Sequence, residues 1–353
     1  MLEDLGSTNG TYLNRQRIST PCSITAADEI IVAIYQVRVL ADGAGVPQVI
    51  VNGRVSASSF RSYRRLRWWL PEFDRIALVA AQDETHAERI RELGVPPERV
   101  HVTGNLKHDL VGASDPAAAA RLAETLGLDG EGPVFVAGST HDGEDGPCVE
   151  AWLAAGGGAR SQLVLVPRHL DRLKDIQKLL RRLGVDWVLR SACEGQPRSA
   201  DQVLLVDTMG ELETLFALAD VVFLGGSLVP VGGHNVLEPA AAGCPVLVGP
   251  WTETCRRETE ILLAAGGLAQ VKEADELTAV LEPLLVEPGR ATAMGERARQ
   301  AVEGLAGAAA ADVALLVERG WLEASDSQSL EHSQDCGTLS RSPSTSHTGA
   351  SYP

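Results

Sequence analysis

Val221-Val222-Phe223-Leu224-Gly225-Gly226-Ser227-Leu228-Val229-Pro230-Val231-Gly232-Gly233-His234-Asn235-Val236-Leu237-Glu238-Pro239 is the stretch whose reading decides the fold. The four apolar residues read as a buried strand. Two glycine pairs then bracket a short loop, and a polar cluster of His234, Asn235 and Glu238 reads as the opening of a helix. Strand, glycine-rich loop and helix N-terminus is how α/β proteins build anion and nucleotide sites. Glycine lets the backbone approach a phosphate, and helix N–H groups favour its charge. Glu238 falls three residues after Asn235 and four after His234, so the three are expected to share one helix face.

The same alternation extends on both sides. Val134-Phe135-Val136, Leu163 to Val166, Trp187-Val188-Leu189, Val203 to Val206 and Val246-Leu247-Val248 are further apolar strand candidates. Asp171 to Leu183 and Glu211 to Ala219 read as helices between them, and Ala291 to Arg319 as one alanine-rich closing helix. Continuous apolar runs of this kind belong to parallel strands covered on both faces. Residues 113–322 therefore read as one complete Rossmann-like unit. Residues 46–112 carry only three strand candidates, Val49-Ile50-Val51, Ile76 to Ala80 and Val100-His101-Val102. Helices over Ser58 to Trp69 and Glu84 to Leu93 complete a partial unit of the same kind. Residues 1–42 read as a short β segment, and the Ser/Thr-rich residues 325–353 as a disordered tail.

Composition narrows the function. The 353 residues carry 47 acidic and 31 basic side chains, a net charge of -16. That argues against a general nucleic-acid binder, which needs a basic face. Six scattered cysteines without a C-x-x-C pair fit neither a disulfide framework nor a zinc site, and reduced thiols are expected. No signal peptide is visible, and no apolar run is expected to reach the ~20 residues that span a bilayer. Ser59 to Leu70 is basic and aromatic, with Arg61, Arg64, Arg65, Arg67, Trp68 and Trp69. It suits an anionic membrane surface, or equally a solvated helix with its tryptophans on the core.

Four polar clusters each follow a strand: Gly138 to Glu144, Pro167-Arg168-His169, Asp207 to Glu211, and Gly225 to Glu238. In an open parallel sheet these gather beyond the carboxyl ends of the strands, where ligands bind. Arg168 can fork onto two phosphate oxygens. Ser139 and Thr140 can donate hydroxyls to the same group, and Glu211 and Glu238 can accept from ribose or base. The site so described holds a nucleotide without a metal or cofactor.

The motifs Val51-Asn52-Gly53-Arg54-Val55-Ser56, Thr103-Gly104-Asn105-Leu106-Lys107, Gly138-Ser139-Thr140-His141, Val166-Pro167-Arg168-His169, Asp207-Thr208-Met209-Gly210-Glu211-Leu212 and Gly225 to Pro239 resemble those of the bacterial 3-deoxy-D-manno-octulosonic acid (Kdo) transferases. The resemblance implies a GT-B glycosyltransferase that moves Kdo from CMP-Kdo to a lipid A precursor, inverting and metal-independent, at the cytoplasmic face of the inner membrane. It places CMP contacts on Pro167, Arg168, Met209, Gly210, Glu211, Asn235, Val236, Leu237 and Glu238. Lys107 matches a transition-state-stabilising lysine. Ser139, Thr140, Gly232, Gly233, His234 and Arg54 are further donor-site candidates. The family's general-base glutamate lies in an acceptor-side segment with no counterpart here, and family members carry a membrane anchor there. The expected partners are CMP-Kdo, the lipid A precursor and, through residues 59–70, the membrane surface. Leu2 to Asn14, with Asn9 at a ligand-contacting position, is similar to the second half of a forkhead-associated (FHA) domain. A CMP-binding protein without turnover is the alternative function, and a phosphopeptide-binding module a third.

Overall fold

The structure is a computed structural model that describes residues 11–13, 16–17, 30–32, 47–65, 73–109, 116–128, 132–193, 199 and 201–322. The expectations for residues 325–353, for Asn9 and for Arg67 to Leu70 lie outside these residues. Three short strands, β1 (Thr11–Leu13), β2 (Gln16–Arg17) and β3 (Ile30–Val32), form an antiparallel sheet in the order β2-β1-β3. Then come β4 (Gln48–Gly53), β5 (Ile76–Ala81) and β6 (Val100–Val102), a parallel sheet in chain order. The main sheet has seven parallel strands: β7 (Val134–Thr140), β8 (Gln162–Pro167), β9 (Trp187–Leu189), β10 (Val203–Leu205), β11 (Val221–Leu224), β12 (Val246–Val248) and β13 (Leu268–Gln270). Their order is β13-β12-β11-β7-β8-β10-β9.

Period-two alternation explains why this sheet is covered twice. Val134, Val136, Val164, Leu204, Val222 and Val246 enter one core with helices Leu212–Phe216, Leu237–Ala241 and Arg256–Ala265. Phe135, Leu163, Leu165, Val203, Leu205 and Phe223 enter the opposite core with Asp145–Ala154, Leu173–Leu183 and Ala274–Val286. The chain leaves β7 toward one edge and returns at β11 to build toward the other. The strand order thus reverses between β7 and β11, and a crevice opens beyond their carboxyl ends.

The closing helical stretch differs from the expectation. It is two helices, Pro288–Glu303 and Ala308–Glu318, interrupted at Gly304 to Gly307. Gly307, with φ +105°, cannot continue a right-handed helix. The expected lack of a long apolar run is also corrected: by length and composition alone, Gly289–Glu318 is long and apolar enough to cross a membrane. Here its second half turns back onto the smaller sheet. Asp109 accepts N–H bonds from Gly307 at 2.5 Å and Ala309 at 2.6 Å, capping Ala308–Glu318. Gly104 leaves only 3.2 Å between a would-be Cβ and Ala308.

Two further contacts tie the units. Arg257 reaches Asp83 at 2.7 Å, and His108 Nε2 lies 3.5 Å from Glu258. Asp83, His108 and Asp109 all follow the carboxyl ends of β5 and β6, while Arg257 and Glu258 begin the helix after β12. The carboxyl edges of the two sheets therefore face each other.

Asp312 sits in this junction, 6% exposed beside Thr103. Burial, reinforced by Asp109 and partly offset by Thr103, pushes its carboxyl up to about 6. A carboxyl raised on folding binds its proton more tightly in the native state. The cost of ionising it therefore sets in as pH rises from about 4 to about 6 and persists above. Asp312→Asn should raise the unfolding free energy by ~1–3 kcal/mol at pH 8 and by no more than ~0.5 kcal/mol at pH 4. Thermal melts of both proteins at the two pH values measure this; an equal gain at pH 4 would refute it.

Candidate functional site

The sheet order places the four polar clusters on four adjacent strands, β11, β7, β8 and β10. Their loops share one carboxyl edge, as expected. What the loops do there differs from the expectation in several places.

The first glycine pair does not await a phosphate. Glu144, fully buried, fills the loop after β11 with its own carboxylate. Oε2 accepts the N–H of Gly226 at 2.7 Å and of His141 at 2.8 Å. Oε1 accepts those of Ser227 at 3.0 Å and Leu228 at 2.8 Å. The second pair is also committed. Gly232 and Gly233 donate to the Gly226 carbonyl at 3.1 and 2.7 Å, and their own carbonyls accept from Thr254 Oγ1, each at 2.8 Å. Their positive φ values, +108° and +79°, fold the loop against the Trp251 to Cys255 segment. These glycines are demanded by intramolecular packing.

The helix that follows is short, Leu237–Ala241. His234 and Asn235 precede it, so the predicted shared helix face is not formed. Asn235 instead forms a turn ahead of the helix: its Oδ1 accepts from Leu237 N–H at 3.1 Å, and its Nδ2 donates to Glu238 at 2.9 Å. Val236 and Leu237 are buried in the core.

Thr140 is likewise withdrawn from any ligand. It is fully buried and donates to Asp145 at 2.7 Å, while Arg172 pairs with Asp145 and donates to the Thr140 carbonyl at 3.0 Å. Burial raises the Asp145 carboxyl despite these partners. Ser139 is buried with φ +54°, a left-handed backbone uncommon for a residue with a Cβ.

At the β10 end, burial acts to raise the Glu211 carboxyl, but hydrogen bonds from Arg190 and Thr208 outweigh it and hold the group low. Arg190 donates to both oxygens, Nη2 to Oε1 at 2.6 Å and Nε to Oε2 at 3.0 Å. Met209, 67% exposed, and Gly210, with φ +88°, form the open turn ahead of it. Two strands separate this turn from Asn235 and Glu238, a gap of roughly 14 Å at ~4.8 Å per strand.

Side chains carry what the backbone does not. Arg168, beyond the buried Pro167, is exposed and makes no ion pair among the described residues. His141 Nε2 stands 2.9 Å from His234 Nε2, with the rings stacked 5.2 Å apart; His169 meets His141 edge-on at 5.5 Å. Burial, then the neighbouring cations, holds both His141 and His234 below the ordinary imidazole value against the pull of Glu144. On the facing edge, Lys107 is exposed in the turn Leu106–Asp109, and Arg54 is exposed after β4. A cavity of about 530 Å³ shares Asp142, Asp145 and Arg172 with the site, but it lies between helices Asp145–Ala154 and Leu173–Leu183, off the β7–β11 crevice. Among the described residues no group of three His, Cys, Asp or Glu side chains is placed to hold a metal ion.

Glu144, Arg172 and Arg190 were not singled out from sequence. Glu144 and His141 lie within the quoted Gly138 to Glu144 cluster, whereas nothing local marks Arg190.

Two parallel-sheet units with facing carboxyl edges, the larger with its loops gathered at a switch point, make this a GT-B-type α/β protein. Residues 36–110 match the family described as 3-deoxy-D-manno-octulosonic-acid transferase (kdotransferase), and residues 1–33 match the FHA domain. The chain is 36% identical over 243 residues to the 3-deoxy-D-manno-octulosonic acid transferase of Haemophilus influenzae, covering 68% of this chain and 56% of that one. It is 36% identical over 274 residues to the transferase of the same name from Bordetella pertussis, covering 75% and 62%. It is also similar to the crystal structure of the C-terminal CMP-Kdo binding domain of WaaA from Acinetobacter baumannii, at 29% identity and TM-score 0.48, over 53% of this chain and 96% of that one. Over its α/β region the chain is similar to the Kdo transferases. It spans about three fifths of the length of these two relatives, 56% and 62%.

Proposed function

We propose that the α/β region binds CMP-Kdo at the β11-β7-β8-β10 edge and transfers Kdo to a lipid A precursor in lipopolysaccharide biosynthesis. The observation that carries this reading is the exposed Arg168 between two clusters of family-like residues, with Lys107 on the facing edge. In this reading Pro167 and Arg168 flank the phosphate, and Met209, Gly210 and Glu211 flank the nucleoside. Asn235 to Glu238 close the other side. Ser139, Gly232, Gly233 and His234 hold the loops in place, and Arg54 and Lys107 approach from the smaller sheet. Lys107 would offset charge developing on the leaving phosphate. CMP-Kdo is a substrate here, and the cations are protein side chains, so no cofactor enters.

Calorimetry with CMP, followed by a transfer assay with CMP-Kdo and a lipid A precursor, tests the proposal. A charge-assisted bond to phosphate is worth ~1.5–3 kcal/mol, so Arg168→Ala should weaken CMP binding about 10- to 100-fold. An unchanged affinity removes Arg168 from the site, and CMP binding without transfer removes the catalytic half of the reading.

The acceptor is a membrane lipid, and we place the protein peripherally on the cytoplasmic face of the bacterial inner membrane. Helix Ala57–Arg65 supports this, with Arg61, Arg64 and Arg65 exposed. At ~1 kcal/mol per arginine near an anionic surface, replacing all three with Gln should weaken binding to phosphatidylglycerol vesicles about 100-fold. Equal sedimentation of both proteins would count against this surface.

A further inference from the structure

A bound nucleotide brings an anion to the β7–β11 crevice, yet the two glycine pairs have no N–H groups left for it, Gly225 donating to the Gly138 carbonyl. Those of Gly226, Ser227 and Leu228 go to Glu144, and those of Gly232 and Gly233 go to the Gly226 carbonyl. The protein's own carboxylate occupies the place a phosphate would take. What converges at the crevice instead is four side chains that carry or can acquire positive charge: His141, His169, His234 and Arg168. Glu144 is the acid that acts on His141 and His234, and its two oxygens already accept four N–H bonds.

We infer that His141, His169, His234 and Arg168 seat the phosphate of the bound nucleotide, and that the His141–His234 pair takes up one proton from solvent as the phosphate binds. The inference rests on the donor-binding reading above and adds to it how the anion is held.

The 2.9 Å Nε2 to Nε2 contact requires one ring to present N–H and the other its lone pair. In a neutral pair, the donor ring then has an unprotonated Nδ1, while the acceptor ring carries its proton on Nδ1. A single added proton enters at the donor ring's Nδ1, giving one imidazolium and keeping the Nε2–H to Nε2 bond. A second would set two N–H groups against each other. The pair therefore holds one extra proton and no more.

The charges around the pair set when that proton arrives. His141 faces Glu144, His169, Arg172 and Arg168; His234 faces His141, Arg168, Glu144 and His169. Arg172 is itself paired with Asp145. Without a bound phosphate, burial and these cations keep the pair neutral near pH 7. An arriving phosphate reverses the balance, because an opposite charge at contact favours imidazolium. Binding and protonation are then linked, and affinity falls as pH rises, by up to ~10-fold per unit.

The test is calorimetry of the full chain with CMP at pH 7.5, in Hepes and in Tris. The CMP phosphate, with its second pKa near ~6, is then already dianionic. The expected result is a heat that differs between buffers by the ionisation enthalpy of a fraction of one proton taken up. Cytidine should show no such difference, and His141→Gln and His234→Gln should each abolish it. If either variant fails to fold, the wild-type buffer comparison and an imidazole NMR titration with and without CMP still decide. CMP binding without buffer dependence, or uptake that persists in both variants, overturns the inference while the donor-binding reading stands. No CMP binding in either buffer overturns both.

Discussion

Glu144→Ala is expected to lower the unfolding free energy by ~3–5 kcal/mol, a large share of the ~5–15 kcal/mol typical of a folded domain. The carboxylate is fully buried and accepts from His141, Gly226, Ser227 and Leu228. Removing it strands these N–H groups, each costing ~1–3 kcal/mol where water does not replace the acceptor. Water entering the vacated space recovers part of the sum, which is why the expected loss lies below the full total. Glu144→Gln separates charge from shape. Its amide keeps one acceptor oxygen but turns an NH2 toward N–H groups, so at least one oxygen's two bonds are lost and a donor clash is added. It should cost ~2–4 kcal/mol despite its near-identical volume. Urea unfolding of the three proteins measures both; a Gln variant within ~0.5 kcal/mol of the parent would mean that shape, not acceptance, is what the loop requires. The consequence reaches the site, since the same loop carries His234 to Glu238.

The parts of this fold that were legible in sequence are those dictated locally. Val221 to Leu224, Leu163 to Val166 and Val246 to Val248 are parallel strands because each is an apolar run covered on both faces. The strand Leu268–Gln270 leaves no signal in the sequence because it lies at the sheet edge and its residues run from buried to exposed, with no apolar run to read. The Pro288–Glu303 and Ala308–Glu318 helices read as one in the sequence because alanine continues through the interruption while Gly307 breaks the backbone. The site was legible as a place but not as a set of bonds. Sequence order puts polar clusters after strands, and the sheet order makes four of them neighbours. That Gly226 answers to Glu144, 82 positions away, or Glu211 to Arg190, 21 away, is a tertiary fact with no local signature. A glycine-rich loop states that the backbone must bend and approach something closely. Here that something is another part of the chain.

Gly225→Ala is expected to cost more than ~3 kcal/mol, beyond the ~1–3 kcal/mol of ordinary overpacking. A methyl group there would lie 2.3 Å from the Ser139 carbonyl oxygen, 2.6 Å from Thr140 Cα and 2.7 Å from the Ser139 carbonyl carbon. All three are backbone atoms, so no side chain can rotate away to make room. Gly225 also donates its N–H to Gly138 at 2.8 Å, the last rung between β11 and β7. Relief therefore requires the carboxyl ends of the two central strands to part, at the point where the strand order reverses. The strain would fall on Ser139, already at φ +54°, and on the His141 and His234 loops that begin on either side. Gly289→Ala provides the contrast. Nothing lies within 4 Å of its would-be Cβ, and it sits in helix Pro288–Glu303, where alanine in place of glycine is favourable by up to ~1 kcal/mol. Denaturant unfolding of both variants should give shifts of opposite sign. A Gly225→Ala protein as stable as its parent would show that β7 and β11 can separate at little cost, and that the close approach of their backbones does not hold the crevice in shape.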